Sequence, residues 1–383
     1  MKWVARETIQ AQILAGLRDA PVTMLTGPRQ CGKTSIARRI AALRRGTYFD
    51  LEDPQTPIQS GVAHTVLGDL KGLVVLDEIQ RQPALFELLR VLADRRPRLA
   101  RFLLLGSASP DLIRGAGESL AGRVRHVDME GLGLGEVGAA SWKRLWVRGG
   151  FPASYLAAGD ARSMRWRMDF IQSLLERDIP QLGIRVPAAA LRRFWMMLAH
   201  FHGQVWNGSE LGQAMGVKPD TARRYLDILC GAFMVRTLPP WFENVGKRLV
   251  KAPKIYFRDS GLLHALLGLE DVQQALSHPR LGFSWEGFAL DEVLRATGGA
   301  QSAYFYRTYA GAELDLLIFR RDRRYGFEFK FGDAPRPTRG MHAVIKDLGL
   351  EKLWIIYNGD EAHRVADRVW LLPLAHISRG IEW

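Results

Sequence analysis

The chain has 383 residues, 47% of them hydrophobic, which supports two or three domains with their own cores and excludes a disordered chain. It carries 53 Lys+Arg against 40 Asp+Glu, a formal charge of +13, clustered at Arg44 and Arg45, Arg192 and Arg193, Arg223 and Arg224, Lys247 and Arg248, and Arg320 to Arg324; such a field attracts polyanions, nucleic acid above all, although an arginine-rich genome produces the same count. Cys31 and Cys230 make neither a disulfide framework nor a metal motif, MKWVARETIQ is no apolar signal segment, and no run approaches the roughly 18 apolar residues of a membrane helix, so a cytoplasmic protein without membrane contact is expected.

Pro21 to Thr26 (PVTMLT) reads as a short buried strand that runs straight into GPRQCGKTS and the helical pattern IARRIAALRR. In that context Gly27, Pro28, Arg29, Gln30, Cys31, Gly32, Lys33, Thr34 and Ser35 form a loop for the phosphates of ATP. The two glycines let backbone N–H groups turn toward phosphate oxygens at a helix N-terminus. Lys33 is placed to reach the β and γ phosphates, and the Thr34 hydroxyl to hold Mg2+. YFDLEDP reads as a further strand whose Asp50, Glu52 and Asp53 either touch a neighbour or the nucleotide site or, as expected, are turn acids. GLVVLDEIQ, residues 72–80, is a continuous apolar strand of the kind a parallel sheet covers on both faces, and it ends in two acids. Asp77 is expected in the Mg2+ shell and Glu78 as the base that orients and deprotonates the attacking water. A third strand, RFLLLGSAS, ends at Ser107, whose small polar side chain suits a place beside that water; ESLAGRVRHVDME follows.

These segments resemble the AAA+ branch of P-loop ATPases, with GPRQCGKT as Walker A, VVLDE as Walker B and LLLGSAS as the sensor-1 strand. The resemblance implies an α/β core built on a parallel sheet over residues 1–140, a sensor role for Ser107, and an arginine supplied from SLAGR. That arginine is Arg123, acting in cis or from a neighbouring subunit of a homo-oligomer, with Arg125 as its competitor.

From Trp142 the pattern turns to aromatic and basic helical segments, with RGGFP as a break and WRMDFIQSLLERDIPQL as an amphipathic helix, so a helical lid is expected over residues 141–190. Arg148 is either a lid arginine that senses phosphate or a turn arginine. In residues 207–241 Ser209 is expected to cap a short helix, Gly216 marks a turn, and Lys218 to Leu229 form a second helix with Ala222, Tyr225, Leu226 and Leu229 on its buried face. FMVRTLPP and KIYF supply two wing strands. This is the order of a winged helix-turn-helix, residues 191–270, which serves either as a DNA reader or as a packing module. Lys218, Thr221, Arg223 and Arg224 are the outward-facing candidates for DNA contact.

Beyond about Ser277, SWEGFALDEVLRAT has Trp285, Phe288 and Val293 at helical spacing, and AYFYRT, GAELDLLIF, YGFEFKF and KLWIIYNG read as strands, with RRDRR as a hairpin turn. Alternation in YGFEFKF sends Phe327, Phe329 and Phe331 to one side and Glu328 and Lys330 to the other, and hairpin pairing brings Asp315 close to Glu328. Two carboxylates and a lysine on one face suit a divalent ion and a water attacking a phosphodiester, though Glu-x-Lys is equally the look of an exposed strand. This part resembles the PD-(D/E)xK fold of restriction-endonuclease-like nucleases. By that resemblance Asp315 and Glu328 are ligands of a second divalent ion, Lys330 stabilises the attacking water or the charge on phosphorus, and Glu286 is the acid of the preceding helix.

With RGGFP, YLDILCGAFMVRTLPP, KAPKIYFRDSGLL and GAELDLLIF added, nearly the whole chain is similar to a prokaryotic group of AAA+ ATPases that end in a nuclease-like domain of unknown function, here residues 277–383. The resemblance implies ATP hydrolysis with Mg2+ by a protein that binds or acts on DNA. Two alternatives stand beside it: a nucleotide-gated switch for a protein partner, and a metal-dependent DNA nuclease licensed by ATP.

Overall fold

Apolar segments spaced along the first half of the chain assemble into a parallel sheet: β1 (Val22–Thr26), β2 (Thr47–Asp50), β3 (Gly72–Asp77), β4 (Ala100–Gly106) and β5 (Val124–Asp128), in the order β2-β3-β4-β1-β5. The structure is a computed structural model that describes residues 3–58, 62–108, 120–242, 249–298, 302–309 and 311–383. Glu118 and Ser119 of the ESLAGR segment, and the Lys247 and Arg248 cluster, lie outside the described residues. The chain divides into two compact units, the first comprising residues 1–131, 176–185 and 231–233, the second residues 132–175, 186–230 and 234–383.

In the first unit both faces of the sheet are covered, as GLVVLD requires. Val22, Met24, Val74, Leu76, Phe102 and Leu104 pack with α3 (Ala63–Gly68) and α4 (Leu85–Asp94). Leu25, Val75, Leu103 and Leu105 pack with α1 (Glu7–Asp19) and α2 (Lys33–Arg44). Because β4 lies between β1 and β3, the C-terminal ends of these three strands sit side by side. That arrangement brings the phosphate loop, the acids after β3 and Ser107 together.

The second unit holds the aromatic and basic helices. The expected long helix WRMDFIQSLLERDIPQL is broken: a helix spans Asp160–Ser173, the chain widens into a π-helical turn at Leu174–Asp178, and a short helix follows at Ile179–Gln181. Pro180, which cannot donate an amide hydrogen bond, accounts for the interruption, and the stretch from Glu176 to Arg185 belongs to the first unit. Helices at Ala188–Ala199, Gly208–Met215 and Pro219–Gly231 precede an antiparallel pair, β6 (Val235–Leu238) and β7 (Lys254–Phe257). Asn207 rather than Ser209 caps Gly208–Met215, accepting the Glu210 N–H at 3.2 Å. Ala222, Tyr225, Leu226 and Leu229 are buried as expected.

A helix at Leu281–Thr297 leads into β8 (Ala303–Arg307), β9 (Glu313–Arg320) and β10 (Arg323–Phe329), an antiparallel meander. A crossover helix, Arg339–Leu348, then sets β11 (Lys352–Tyr357) parallel to β10, and β12 (His363–Ala366) and β13 (Val369–Pro373) complete a sheet ordered β12-β13-β11-β10-β9-β8. The β9–β10 hairpin turns at Arg321 and Asp322, whose φ of 48° and 62° suit a two-residue turn. One of the two readings of this strand falls here: both faces of β10 are covered, with Phe327 stacked on Trp354 and Glu328 only 5% exposed, so the Glu328 side is interior rather than the face of an exposed strand. Among the described residues no helix is long and apolar enough to cross a membrane.

Candidate functional site

The loop between β1 and α2 is built by backbone constraints. A Cβ at Gly27 would collide with the Met129 carbonyl oxygen, and Gly32 takes a left-handed φ of 105° as the cap of α2. Cys31 is buried with its thiol toward Met129 O, which fixes the loop from below. Arg6, itself buried, donates to Cys31 O at 3.1 Å, Glu130 O at 3.0 Å and Gly131 O at 2.9 Å, tying the loop to the chain after β5. Lys33 is buried inside the loop, its ammonium donating to Gly27 O at 2.9 Å and Pro28 O at 2.8 Å.

Across the loop mouth Thr34 Oγ1 donates to Asp77 Oδ2 at 2.8 Å. Tyr48 of β2 donates to the same oxygen at 2.5 Å, and burial pushes this phenol's pKa upward, so it stays a proton donor. Glu78 leaves β3 in a left-handed conformation, φ 54° and ψ 48°, which swings its carboxylate toward β4. There both carboxylate oxygens lie 3.1 Å from Ser107 Oγ, and Gln80 donates a further hydrogen bond. Lys33, Thr34, Asp77, Glu78 and Ser107, separated by up to 74 positions, thus share one end of one sheet. The donor set fits a nucleotide and Mg2+: a hydroxyl and a carboxylate for a hard cation, an ammonium and loop amides for phosphate.

Sequence reasoning missed the partners of Arg29. The guanidinium binds Glu52 at 3.1 Å and pairs with Asp178, while Glu52 also accepts from Arg81 at 2.5 Å. Burial works against the Arg29 charge, but Asp178, Glu52 and Glu78 outweigh it and raise its pKa, and the Arg81 hydrogen bond lowers that of Glu52. Glu52 is therefore part of a network at the loop rather than a plain turn acid. Alternating sequence patterns carry no signal for such a contact.

The expected arginine finger is not at this end. Arg123 precedes β5, whose register sets Val124 beside Val22 and Asp128 beside Thr26, so Arg123 lies five residues, about 16 Å at ~3.3 Å per residue, from the end of the sheet that carries the loop. It is paired in two hydrogen bonds, 2.7 and 2.8 Å, with Asp94. Arg125, beside Thr23, is also set back from the loop. Arg148, in the second unit, is bound to Asp160 at 2.6 Å and to Ala157 O at 2.7 Å, as a turn arginine would be.

In the second unit the four nuclease-like positions do converge. The β9–β10 register, continued one step past Phe327 and Leu316, sets Glu328 opposite Asp315, and the Phe329 N–H donates to Asp315 Oδ2 at 3.2 Å. Lys330 Nζ lies 3.1 Å from Glu328 Oε2. Between these acids and Glu286, however, stands a residue that the sequence did not single out. Lys254 of β7, 3% exposed at its side chain, places Nζ 3.2 Å from Glu286 Oε1, 3.2 Å from Asp315 Oδ1 and 2.8 Å from Glu313 Oε1. Tyr256 OH donates to Glu286 Oε1 at 2.5 Å. Burial, then the neighbouring Asp315 charge, pushes Glu286 up to about 7 and Glu328 up to about 8. Burial alone would lower the Lys254 pKa, yet Glu286 and the other anionic neighbours raise it well above the ordinary lysine value. The second divalent ion expected at Asp315 and Glu328 does not fit this arrangement, because an ammonium already lies among the carboxylates. Among the described residues no group of three or more His, Cys, Asp or Glu is disposed to hold a metal.

Arg223 and Arg224 of Pro219–Gly231 are exposed, as is Lys218 just before that helix, and Thr221 is half-buried. Arg223 spends part of its charge on Asp227 at 2.9 Å.

A parallel sheet with a glycine loop between β1 and α2, and paired acids after β3 two strands away, defines a P-loop ATPase domain of the AAA type; the AAA domain family matches residues 19–138. The chain belongs to the family of two mycobacterial proteins, uncharacterized protein Rv2008c of Mycobacterium tuberculosis and uncharacterized protein Mb2031c of Mycobacterium bovis. Each is 46% identical to it over 374 residues, 98% of this chain and 85% of theirs. Two domains of unknown function, DUF8612 and DUF4143, match residues 139–273 and 281–377. Among solved structures, the Walker-type ATPase PABY2304 of Pyrococcus abyssi is similar over 69% of this chain and 96% of that one, at 16% identity and a TM-score of 0.49.

Proposed function

We propose that the protein hydrolyses ATP with Mg2+ at the end of the β1-β3-β4 sheet and uses that cycle on DNA. The observation that carries the ATPase reading is the pairing of Glu78 with Ser107 next to the Thr34–Asp77 hydrogen bond. Mg2+, when bound, neutralises charge developing on the phosphates. Loop amides and Lys33 hold the phosphate oxygens, while Thr34 and Asp77 supply the hydroxyl and carboxylate that would hold the metal. Glu78, kept in place by Ser107, accepts the proton of the attacking water. DNA is the polyanion that fits the charge of +13 and the exposed arginines of Pro219–Gly231, read as the recognition helix of a winged helix with β6 and β7 as its wing.

Glu78→Gln should keep nucleotide affinity and lower turnover by about 10² to 10⁴, the usual worth of a positioned base, whereas Lys33→Ala should lose affinity as well. Nucleotide titration and steady-state phosphate release separate the two. Undiminished turnover in Glu78→Gln would remove Glu78 from the mechanism.

A second reading, a nucleotide-gated switch for a protein partner, is favoured by one contact. Arg29 of the phosphate loop is bound to Asp178, in a segment that continues at both ends into the other unit.

A further inference from the structure

The carboxylate cluster of the C-terminal sheet carries more acid than its position in the interior allows without a counter-charge. Glu286, Asp315 and Glu328 are all buried, and Glu313 stands at the rim, one third exposed at its side chain. Lys330 balances Glu328 from the outer side, 44% exposed at its side chain. The remaining acids face inward on Lys254, and an ammonium offers three N–H donors, which here meet one oxygen each from Glu286, Glu313 and Asp315. The Phe305 ring, 5.7 Å from Nζ, closes another side. Tyr256, two residues on along β7, fixes Glu286 through its hydroxyl, and the Phe329 amide fixes Asp315, so the acceptors are oriented toward Nζ by neighbours that do not themselves bind it.

We propose that Lys254 is a built-in cation, its ammonium standing among Glu286, Glu313 and Asp315, whose present disposition forms no metal site, and that removing its charge lets these carboxylates close on a divalent ion instead. A divalent ion would need the same oxygens at about 2.0–2.6 Å, and would have to enter beside an existing positive charge where burial weakens the screening between the two. The chain as folded therefore holds its carboxylate cluster in a metal-free form. Metal-dependent cleavage of a phosphodiester at Glu328 and Lys330 does not follow from the convergence of those residues.

The test uses the full nucleotide-free chain and Mn2+ alone, followed by loss of the free Mn2+ electron paramagnetic resonance signal. Lys254→Met keeps the length and apolar stem of the side chain and removes the charge. It should take up Mn2+ with an affinity at least about tenfold above that of the wild type, since a unit charge has been removed from among the carboxylates. Asp315→Asn in the same chain should abolish that gain, and Lys254→Arg, which keeps a cation, should not show it. A folded Lys254→Met chain without added uptake overturns the proposal, as does wild-type uptake that Asp315→Asn removes. Should Lys254→Met fail to fold, acylation of the wild-type protein decides. Lys254 should resist an amine-reactive ester in the native state and be no more reactive in millimolar Mn2+; labelling that rises with Mn2+ would mean that the metal displaces the lysine.

Discussion

Glu292 lies on the buried side of the helix Leu281–Thr297, with Oε2 accepting the Leu134 N–H at 2.9 Å. Burial pushes its carboxyl up to about 7 from the ordinary 4.5, against the pull of Arg295. Between those two values the folded chain holds a proton that the unfolded chain has lost, so the stability tied to this group is present at acid pH and is lost as pH rises through the window. Glu292→Gln keeps the acceptor oxygen and removes the titration. Melting temperatures of the variant and the wild type should therefore diverge in favour of the variant between about pH 5 and pH 8. A constant difference across that range would exclude Glu292 as a source of pH sensitivity. At this scale the sequence told much about one site and little about the other. Lys33, Thr34, Asp77, Glu78 and Ser107 were legible because each closes a strand or opens a helix, positions that a pattern of apolar runs marks. Lys254 was not, because KIYF reads only as a wing strand and its partners Glu286 and Asp315 lie 32 and 61 residues away.

Two elements were misread for a physical reason. The amphipathic run at 166–182 gives no hint of the π-helical turn, which follows from Pro180 rather than from periodicity. VRHVD was not read as a strand, yet it forms β5, and the direction of β5 decides where Arg123 lies. The short segment after the π turn now carries a prediction. Asp178 is 8% exposed and holds the Arg29 guanidinium, whose charge it offsets at the mouth of the phosphate loop. Asp178→Asn should tighten ATP binding several-fold, because more of the Arg29 charge becomes available to phosphate, and should cost about 1.5–3 kcal/mol of stability for the lost charged hydrogen bond. Calorimetric nucleotide titration together with thermal unfolding reads both. Unchanged affinity would mean that Arg29 takes no part in nucleotide recognition.

For the molecule as a whole, the ATPase, helical and C-terminal parts differ in period and composition along the sequence, but the grouping of 176–185 and 231–233 with the first unit has no counterpart in that pattern. How the carboxylate cluster is neutralised was not legible there either, because that depends on which strand of the wing meets which strand of the sheet. Charge remains the property that acts over the whole surface. If about six phosphates are contacted, the affinity for duplex DNA should fall with a log–log salt slope of roughly −5, and Arg223→Ala with Arg224→Ala should reduce the slope by about 2. Filter binding over a salt series measures it. A flat series, or a slope indifferent to the pair, would take DNA out of the proposed function.

Arg6 also sets an order in time. Its anchors Glu130 and Gly131 are 124 and 125 residues further along. At a synthesis rate of about 5–20 residues per second, the segment around Arg6 waits on the order of ten seconds after leaving the ribosome before those partners exist. Until then the phosphate loop lacks the carbonyls that clamp it from behind, and β1 lacks both β4 and β5 to pair with. The nucleotide loop is thus completed only when the last strand of its sheet, β5, has emerged.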